Sequence, residues 1–255
     1  MEKNSAVLIT GAIKNSGLSV AEKFLSSGRT VFITSRNGKL ATKKAEELKT
    51  KYNSECFGLR FDPLQAKETC EDLFSIIADM GYIIDTLVCV HADPGFDQNT
   101  LTVRLDEWEN VILTNVMGYY MPARCMAKVL ADAKRTGSVV FISSTVAAEA
   151  IPGRSAYVAS KGAETAMTKA LALDLAGYGI RVNCVVPGPV HTDRWDVLAD
   201  EDKQCREKII PLGTATFPDQ IAEAVWFLSS AAASGITGAS LTVDGGLECV
   251  VPGAY

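Results

Sequence analysis

Seven short runs of apolar, largely β-branched residues recur along the chain, and longer stretches with helical spacing lie between them. The runs are "AVLI" from Ala6, "TVFIT" from Thr30, "CFGLRF" from Cys56, "IDTLVCV" from Ile84, "SVVFIS" from Ser138, "IRVNCVV" from Ile180 and "ASLTVD" from Ala239. Strands this continuously apolar cannot leave one face in water. They need cover on both sides, and helices between successive strands supply it. The pattern predicts an α/β fold: a doubly wound parallel sheet of about seven strands with helices on both faces.

The helix candidates run from Leu18 to Gly28, from Leu40 to Tyr52, from Trp108 to Gly137 as one long helix despite Pro122, and from Ala156 to Gly179. Three of the four end at glycine, a helix stop. No linker, repeat or low-complexity segment interrupts the chain, which predicts a single dinucleotide-binding and catalytic domain over 1–255. The stretch from Pro187 to Pro218 is polar, with Pro189 and Pro211 inside it and a short helix candidate in "DKQCREKII". A long insertion near the end of the sheet predicts a substrate lid at about 188–217.

With 255 residues and 47% hydrophobic content, the chain is long enough for one large core. Its net charge of −5, with no long basic run, argues against a nucleic-acid partner. The seven cysteines are odd in number, scattered and form no CxxC pair, and the two histidines, His91 and His191, have no neighbour at ligand spacing. No disulfide framework and no metal site are expected. The first residues are too short an apolar stretch for a signal peptide, and no apolar run is long enough to span a membrane. The expectation is a cytoplasmic protein with no membrane partner.

Between the first strand and the first helix lies "VLITGAIKNSG", Val7 to Gly17. In a doubly wound sheet this turn is where a pyrophosphate approaches helix N–H groups. Gly11 lets the chain turn, and Gly17 allows close packing where the helix begins. Asn15 stands where a further glycine is expected. Asparagine tolerates left-handed backbone geometry better than most residues, and its amide can donate to phosphate. The cofactor-facing set of this turn is Gly11, Lys14, Asn15, Gly17 and Leu18. The second strand ends in Ser35 and Arg36, with no acid to meet a ribose 2′-hydroxyl. Together with Lys14 these residues favour NADP(H), with NAD(H) as the alternative. Asp62, after the third strand, either accepts from an adenine amino group or, with Pro63, simply starts a turn.

"SAYVASKGA" puts Tyr157 and Lys161 four residues apart, on one face of a helix. A phenol with an ordinary pKa of about 10 is a poor base near neutrality, and an ammonium nearby favours its ionised form. Tyr157 would then pass a proton to or from a substrate oxygen while hydride moves to or from the cofactor. Ser143 and Ser144 end the strand upstream, where a hydroxyl either holds that oxygen or caps a turn.

These motifs, in this order, resemble the short-chain dehydrogenase/reductase family over essentially the whole chain: "TGAIKNSG", Asp62, "NVMG" from Asn115, "ISS" from Ile142, "YVASK" from Tyr157, "RVNCVVPGPVHT" from Arg181 and "ITGASLTVDGG" from Ile236. The resemblance implies a Rossmann-type sheet and a catalytic set of Ser144, Tyr157, Lys161 and Asn115. Tyr157 is the implied general acid/base. Lys161 acidifies it and binds the nicotinamide ribose. Ser144 orients the substrate, and Asn115 holds a water that continues the relay. The loop residues Pro187, Gly188, Val190 and Thr192 meet the nicotinamide end. A homo-oligomer, tetramer or dimer, is implied, with the Tyr157 helix and "ECVVPGAY" as candidate contacts. One departure stands in the fourth strand, where the family reads Asn-Asn-Ala-Gly and this chain reads Cys89, Val90, His91, Ala92. His91 either lines the cofactor channel or is a satisfied structural histidine.

The substrate side draws on Thr145 to Gly153, on Ala92 to Phe96, and on the lid with Trp195 and Leu198. It admits small-molecule ketones or alcohols, sugars, steroids and ketoacyl thioesters. The segment from Pro211 resembles 3-oxoacyl-acyl-carrier-protein reductases and sugar-type dehydrogenases, with Thr214 where those often carry arginine. A halohydrin dehalogenase reading is opposed by Lys161 and Gly11. A catalytically weak NADP-binding sensor or scaffold of the same fold is the alternative to an enzyme.

Overall fold

All seven apolar runs form strands. In the computed structural model, which describes residues 4–251, they are β1 (Asn4–Thr10), β2 (Val31–Ser35), β3 (Cys56–Arg60), β4 (Tyr82–Cys89), β5 (Gly137–Ile142), β6 (Ile180–Pro187) and β7 (Ser240–Val243). They form one sheet in the order β3-β2-β1-β4-β5-β6-β7. Every pairing is parallel. The helices are α1 (Asn15–Ser26), α2 (Gly38–Tyr52), α3 (Ala66–Asp79), α4 (Leu105–Ile112), α5 (Gly118–Asp132), α6 (Ser155–Ala176), α7 (Asp193–Asp196), α8 (Asp200–Lys208) and α9 (Pro218–Ser229).

Strand alternation sorts the core into two halves. Along β1, Ala6 and Leu8 face one side with α3, α5 and α6. Val7 and Ile9 face the other with α1, α2 and α9. All four are fully buried, so a one-residue slip would exchange the two apolar sets and is not tolerated. α3 and α9 were not among the helices expected from sequence. α3 buries Cys70, Leu73, Phe74 and Ile77 at helical spacing. α9 begins at Pro218, and the Gln220 side chain accepts from the Phe217 N–H at 2.9 Å.

The stretch expected as one long helix from Trp108 to Gly137 is helical from Leu105 to Asp132, with a π turn, Leu113–Met117, between α4 and α5, and Gly137 instead opens β5. Wide turns of this kind recur at functional sites, and this one carries Asn115. The five cysteines outside α8 and the C-terminal turn are buried, and all seven are free thiols. No helix among the described residues is long and apolar enough to cross a membrane. The C-terminal segment expected at a subunit contact runs into residues 252–255, which lie outside the described residues.

α2 approaches β3 so closely that only glycine fits at position 58. A Cβ there would lie 2.2 Å from the Ala41 carbonyl carbon and oxygen. Backbone on both sides leaves no flexible atom to move. Gly58→Ala is expected to cost about 3 kcal/mol, the upper range for overpacking. Thermal unfolding followed by circular dichroism should show a Tm roughly 6–12 °C lower.

Candidate active site

β1 is flanked by β2 on one side and β4 on the other. The crossovers therefore diverge at its carboxyl end, and a crevice opens there. It is a cleft of about 780 Å³ running from the tip of β2 to the lid segment. Gly11, Lys14, Asn15 and Gly17 line one end, with Ser35, Arg36 and Asp62 beside them. His91 lies midway. Ser144, Tyr157 and Lys161 stand toward the other end, with Pro187, Gly188, Val190 and Thr192 opposite. Two residues of the expected set lie off the cleft. Leu18 packs on the α1 side of the core, and Asn115 is fully buried behind the wall.

The turn from β1 to α1 is held open by its backbone. Gly11 has φ +73°, and a Cβ on it would meet the His91 Cβ at 2.8 Å. A Cβ on Gly17 would lie 2.5 Å from the Gly11 carbonyl oxygen. Asn15 has φ 51°, the left-handed region that asparagine enters more readily than most residues. No side chain caps α1, and its first turn carries no acid. Its N-terminus thus presents N–H groups and the positive end of the helix dipole to the cleft. Ser35 accepts from the Asn37 N–H at 3.2 Å and Asp62 from the Leu64 N–H at 3.2 Å, so both are fixed by their own turns.

His91, two residues beyond β4, links the end of β1 to the π turn. Its Nδ1 is 2.7 Å from the Thr10 hydroxyl, and its Nε2 is 3.2 Å from the Thr114 carbonyl oxygen. A carbonyl only accepts, so Nε2 carries the hydrogen and Nδ1 accepts from Thr10. The ring packs edge-on against Tyr119 and Phe61. A Cβ on Gly118 would lie 2.6 Å from Nε2, so this glycine makes room for the imidazole. Burial holds His91 down to about 3, with the Thr114 carbonyl acting in the opposite sense and Lys161 adding to the depression. The ring is a neutral strut tying β1 to the π turn, and one edge lines the cleft.

Tyr157 and Lys161 share the inner face of the first two turns of α6, with the Lys161 Nζ 5.6 Å from the Tyr157 ring centre. Ser144 Oγ accepts from the Val146 N–H at 3.4 Å, a weak cap that leaves its hydrogen free to donate. The Asn115 side chain is committed elsewhere. Its Oδ1 accepts from the Asp93 N–H at 2.7 Å, and its Nδ2 donates to the Asp93 carbonyl and the Ser160 hydroxyl, both at 2.9 Å. This amide bolts the loop after β4 to α6.

The lysine has a partner that sequence reading missed. Its Nζ donates to Glu164 Oε1 at 3.0 Å, to Oε2 at 2.9 Å and to the Ile142 carbonyl at 2.9 Å. Both side chains are buried. Burial pushes the Glu164 carboxyl up to about 8 against the pull of Lys161. Burial alone would lower Lys161, but attraction to Glu164 and Tyr157 outweighs it and leaves the ammonium above its ordinary value. The signal was present in "KGAE": an acid three residues after the lysine, on the same helix face.

Over the far rim, Asp193 forms an exposed ion pair with Lys14 at 3.0 Å, and its N–H donates to Asn15 Oδ1 at 3.3 Å. The lid segment thus rests on the glycine turn. Trp195, expected on the substrate side, is instead buried with Ile210 and Ala215, and Leu198 packs against that small core. The indole gives α7 an apolar anchor in the lid segment. Asp193 and Arg194 face the cleft in its place.

The family model described as enoyl-(acyl carrier protein) reductase matches residues 11–248. The chain belongs to the short-chain dehydrogenase/reductase family. A 3-oxoacyl-[acyl-carrier-protein] reductase from Aquifex aeolicus is 34% identical over 242 residues, 94% of this chain and 96% of that protein. A short-chain type dehydrogenase/reductase from Mycobacterium marinum matches in structure with a TM-score of 0.87 at 29% identity, covering 98% of this chain and 97% of that one. An acetoin dehydrogenase from Enterobacter cloacae gives a TM-score of 0.87 at 26% identity over 100% of this chain and 99% of that one. This short-chain dehydrogenase/reductase is therefore an oxidoreductase, built on a seven-stranded Rossmann-type sheet.

Proposed function

We propose that the protein is an NADP(H)-dependent enzyme that interconverts a carbonyl and a secondary alcohol. The observation that carries this reading is the convergence on one cleft of a glycine-limited helix N-terminus with Ser144, Tyr157 and Lys161. The cradle suits a dinucleotide. A Cβ would fill it at Gly11 or Gly17, and Asn15 keeps the backbone open. Lys14 and Arg36 are exposed cations at the adenosine end, where a 2′-phosphate needs them. The Lys14 pair with Asp193 is exposed and readily screened, so an entering phosphate replaces it.

When bound, the cofactor supplies or accepts hydride at the nicotinamide end, beside Pro187, Gly188, Val190 and Thr192. Ser144 donates to the substrate oxygen and fixes it against the Tyr157 hydroxyl. Tyr157 gives its proton to the forming alkoxide in reduction and takes it back in oxidation. The Lys161 ammonium stabilises the phenolate left behind. Asn115 sets the position of the Asp93 loop beside the cleft, and a water near its backbone continues the relay. The same reading places the enzyme in the cytoplasm as a homo-oligomer. Exposed Leu105 on α4 and Leu173 on α6, 83% and 82% accessible, offer apolar contact surface.

Arg36 is the sharpest test of the cofactor. A charge-assisted bond to phosphate is worth about 1.5–3 kcal/mol, so Arg36→Ala is expected to weaken NADP+ binding by about 10- to 100-fold. NAD+ binding should stay unchanged, with both read by isothermal titration calorimetry. The activity itself is tested by loss of reduced-nicotinamide absorbance with both cofactors over a panel of ketones, sugars and 3-oxoacyl thioesters. Faster turnover with NADPH supports the reading. Cofactor binding with no turnover on any of these classes contradicts it.

A further inference from the structure

We propose that Glu164 is a positioning residue: it holds the Lys161 ammonium on the sheet side of the cleft and sets how strongly that charge acts on Tyr157. The inference rests on the reading of Tyr157 as the proton-transfer group and deepens it.

A lysine ammonium has three N–H donors. Here two go to the Glu164 oxygens and the third to the Ile142 carbonyl. None is left for a cofactor hydroxyl or for the Tyr157 phenol in this arrangement. Tyr157, Lys161 and Glu164 are spaced four and three apart, so they descend one face of α6 in sequence. Glu164 lies deepest, with no accessible surface. Stability is a poor reason for such a pair, because apolar replacement of a buried ion pair is often neutral or favourable. A carboxyl in contact with the ammonium that activates a phenol, in contrast, changes what that ammonium does. While Glu164 is neutral, the field of Lys161 reaches Tyr157 in full. Once Glu164 ionises, the field is largely cancelled and the ammonium is drawn away from the cleft.

The surroundings leave Tyr157 as the group to feel this change. Around the carboxyl stand Lys161 on α6, the Ser143 hydroxyl at the end of β5, Cys184 on β6, Cys89 on β4 and Tyr119 on α5. Burial pushes both thiols and the Tyr119 phenol upward, so none of them ionises near neutrality. His91, which feels Lys161, stays neutral. Burial raises the carboxyl itself to about 8 against the pull of Lys161, so of these neighbours it is the one whose charge changes nearest neutrality.

The test reads the phenol directly. Tyrosinate absorbance is followed against pH, and the Tyr157 component is isolated by subtracting the Tyr157→Phe variant. Removing the acid in Glu164→Leu or Glu164→Gln should move the Tyr157 midpoint about one pH unit lower, because a nearby negative charge no longer opposes the phenolate. Glu164→Asp, which keeps the charge, should stay close to the parent. A merely structural role predicts lost stability in the Leu and Gln variants with an unmoved midpoint, and that result overturns the proposal. If those variants do not fold, the parent is used. The carbon-13 signal of the Glu164 carboxyl should shift as Tyr157 ionises, and a signal blind to that step overturns the proposal equally. Full turnover by Tyr157→Phe sinks the reading of Tyr157 itself. An inactive Tyr157→Phe, together with an unmoved Tyr157 midpoint in the Glu164 variants, sinks only the role of Glu164.

Discussion

Tyr157→Phe is expected to lower kcat/KM by about 10²–10⁴, the usual contribution of a positioned acid or base, while NADP+ still binds. The substitution removes a single oxygen. The ring stays where it lines the cleft, and the glycine turn and Arg36 lie at the opposite end of the same crevice. Binding and proton transfer are therefore separable. Equal losses in kcat and kcat/KM would place the missing interaction in the transition state rather than in substrate binding. Ser144→Ala should fall in the same direction by a smaller factor, because it removes one donor from the substrate oxygen and leaves the proton donor in place.

Lys161→Met is expected to damage the protein as well as the reaction. The ammonium faces both Glu164 oxygens at hydrogen-bond distance and carries the charge that balances them. Breaking one side of a buried pair typically costs about 3–5 kcal/mol. The loss should depend on pH, and the sign is fixed by the carboxyl. Its folded value is raised above the ordinary carboxylate range, so its contribution to stability is fully present at low pH. That contribution is lost as the pH climbs through the folded value. Urea unfolding should thus find Lys161→Met closer to the parent at pH 5 than at pH 8. The double variant Lys161→Met/Glu164→Leu should recover most of the stability and none of the activity. Recovery of both would show that Lys161 has no part in the chemistry.

The sheet was readable from the chain because each strand announces itself as a continuous apolar run between turn residues. α3 was not, because its apolar positions Cys70, Leu73, Phe74 and Ile77 are interleaved with Lys67, Glu68, Glu71 and Asp72, even though Gly81, at φ 87°, stops it as Gly28 stops α1. The π turn was hidden inside a stretch whose composition is helical throughout. Most of the lining of the candidate cleft was readable too, since Gly11, Gly17, Tyr157 and Lys161 are tied to local backbone geometry or to spacing on one helix. The partners that meet only in three dimensions were not. Nothing in "CVHA" says that His91 will find Thr10 and the Thr114 carbonyl, and the burial of Trp195 depends on Ile210 and Ala215 closing over it. Glu164 lay in plain view, but an acid on an alanine-rich helix reads as a solvated charge until the depth of its helix face is known.

The central claim is that hydride crosses this cleft to a carbonyl carbon while Tyr157 handles the proton. The most direct measurement follows the hydrogen. The enzyme is given NADPH deuterated at both C4 positions, together with a 3-oxoacyl thioester or another ketone it turns over, and the product alcohol is read by mass spectrometry. Deuterium on the carbinol carbon, formed by the parent and not by Tyr157→Phe, is the result expected. Alcohol formed without label at that carbon, or labelled alcohol formed as fast without the phenol, would contradict the account.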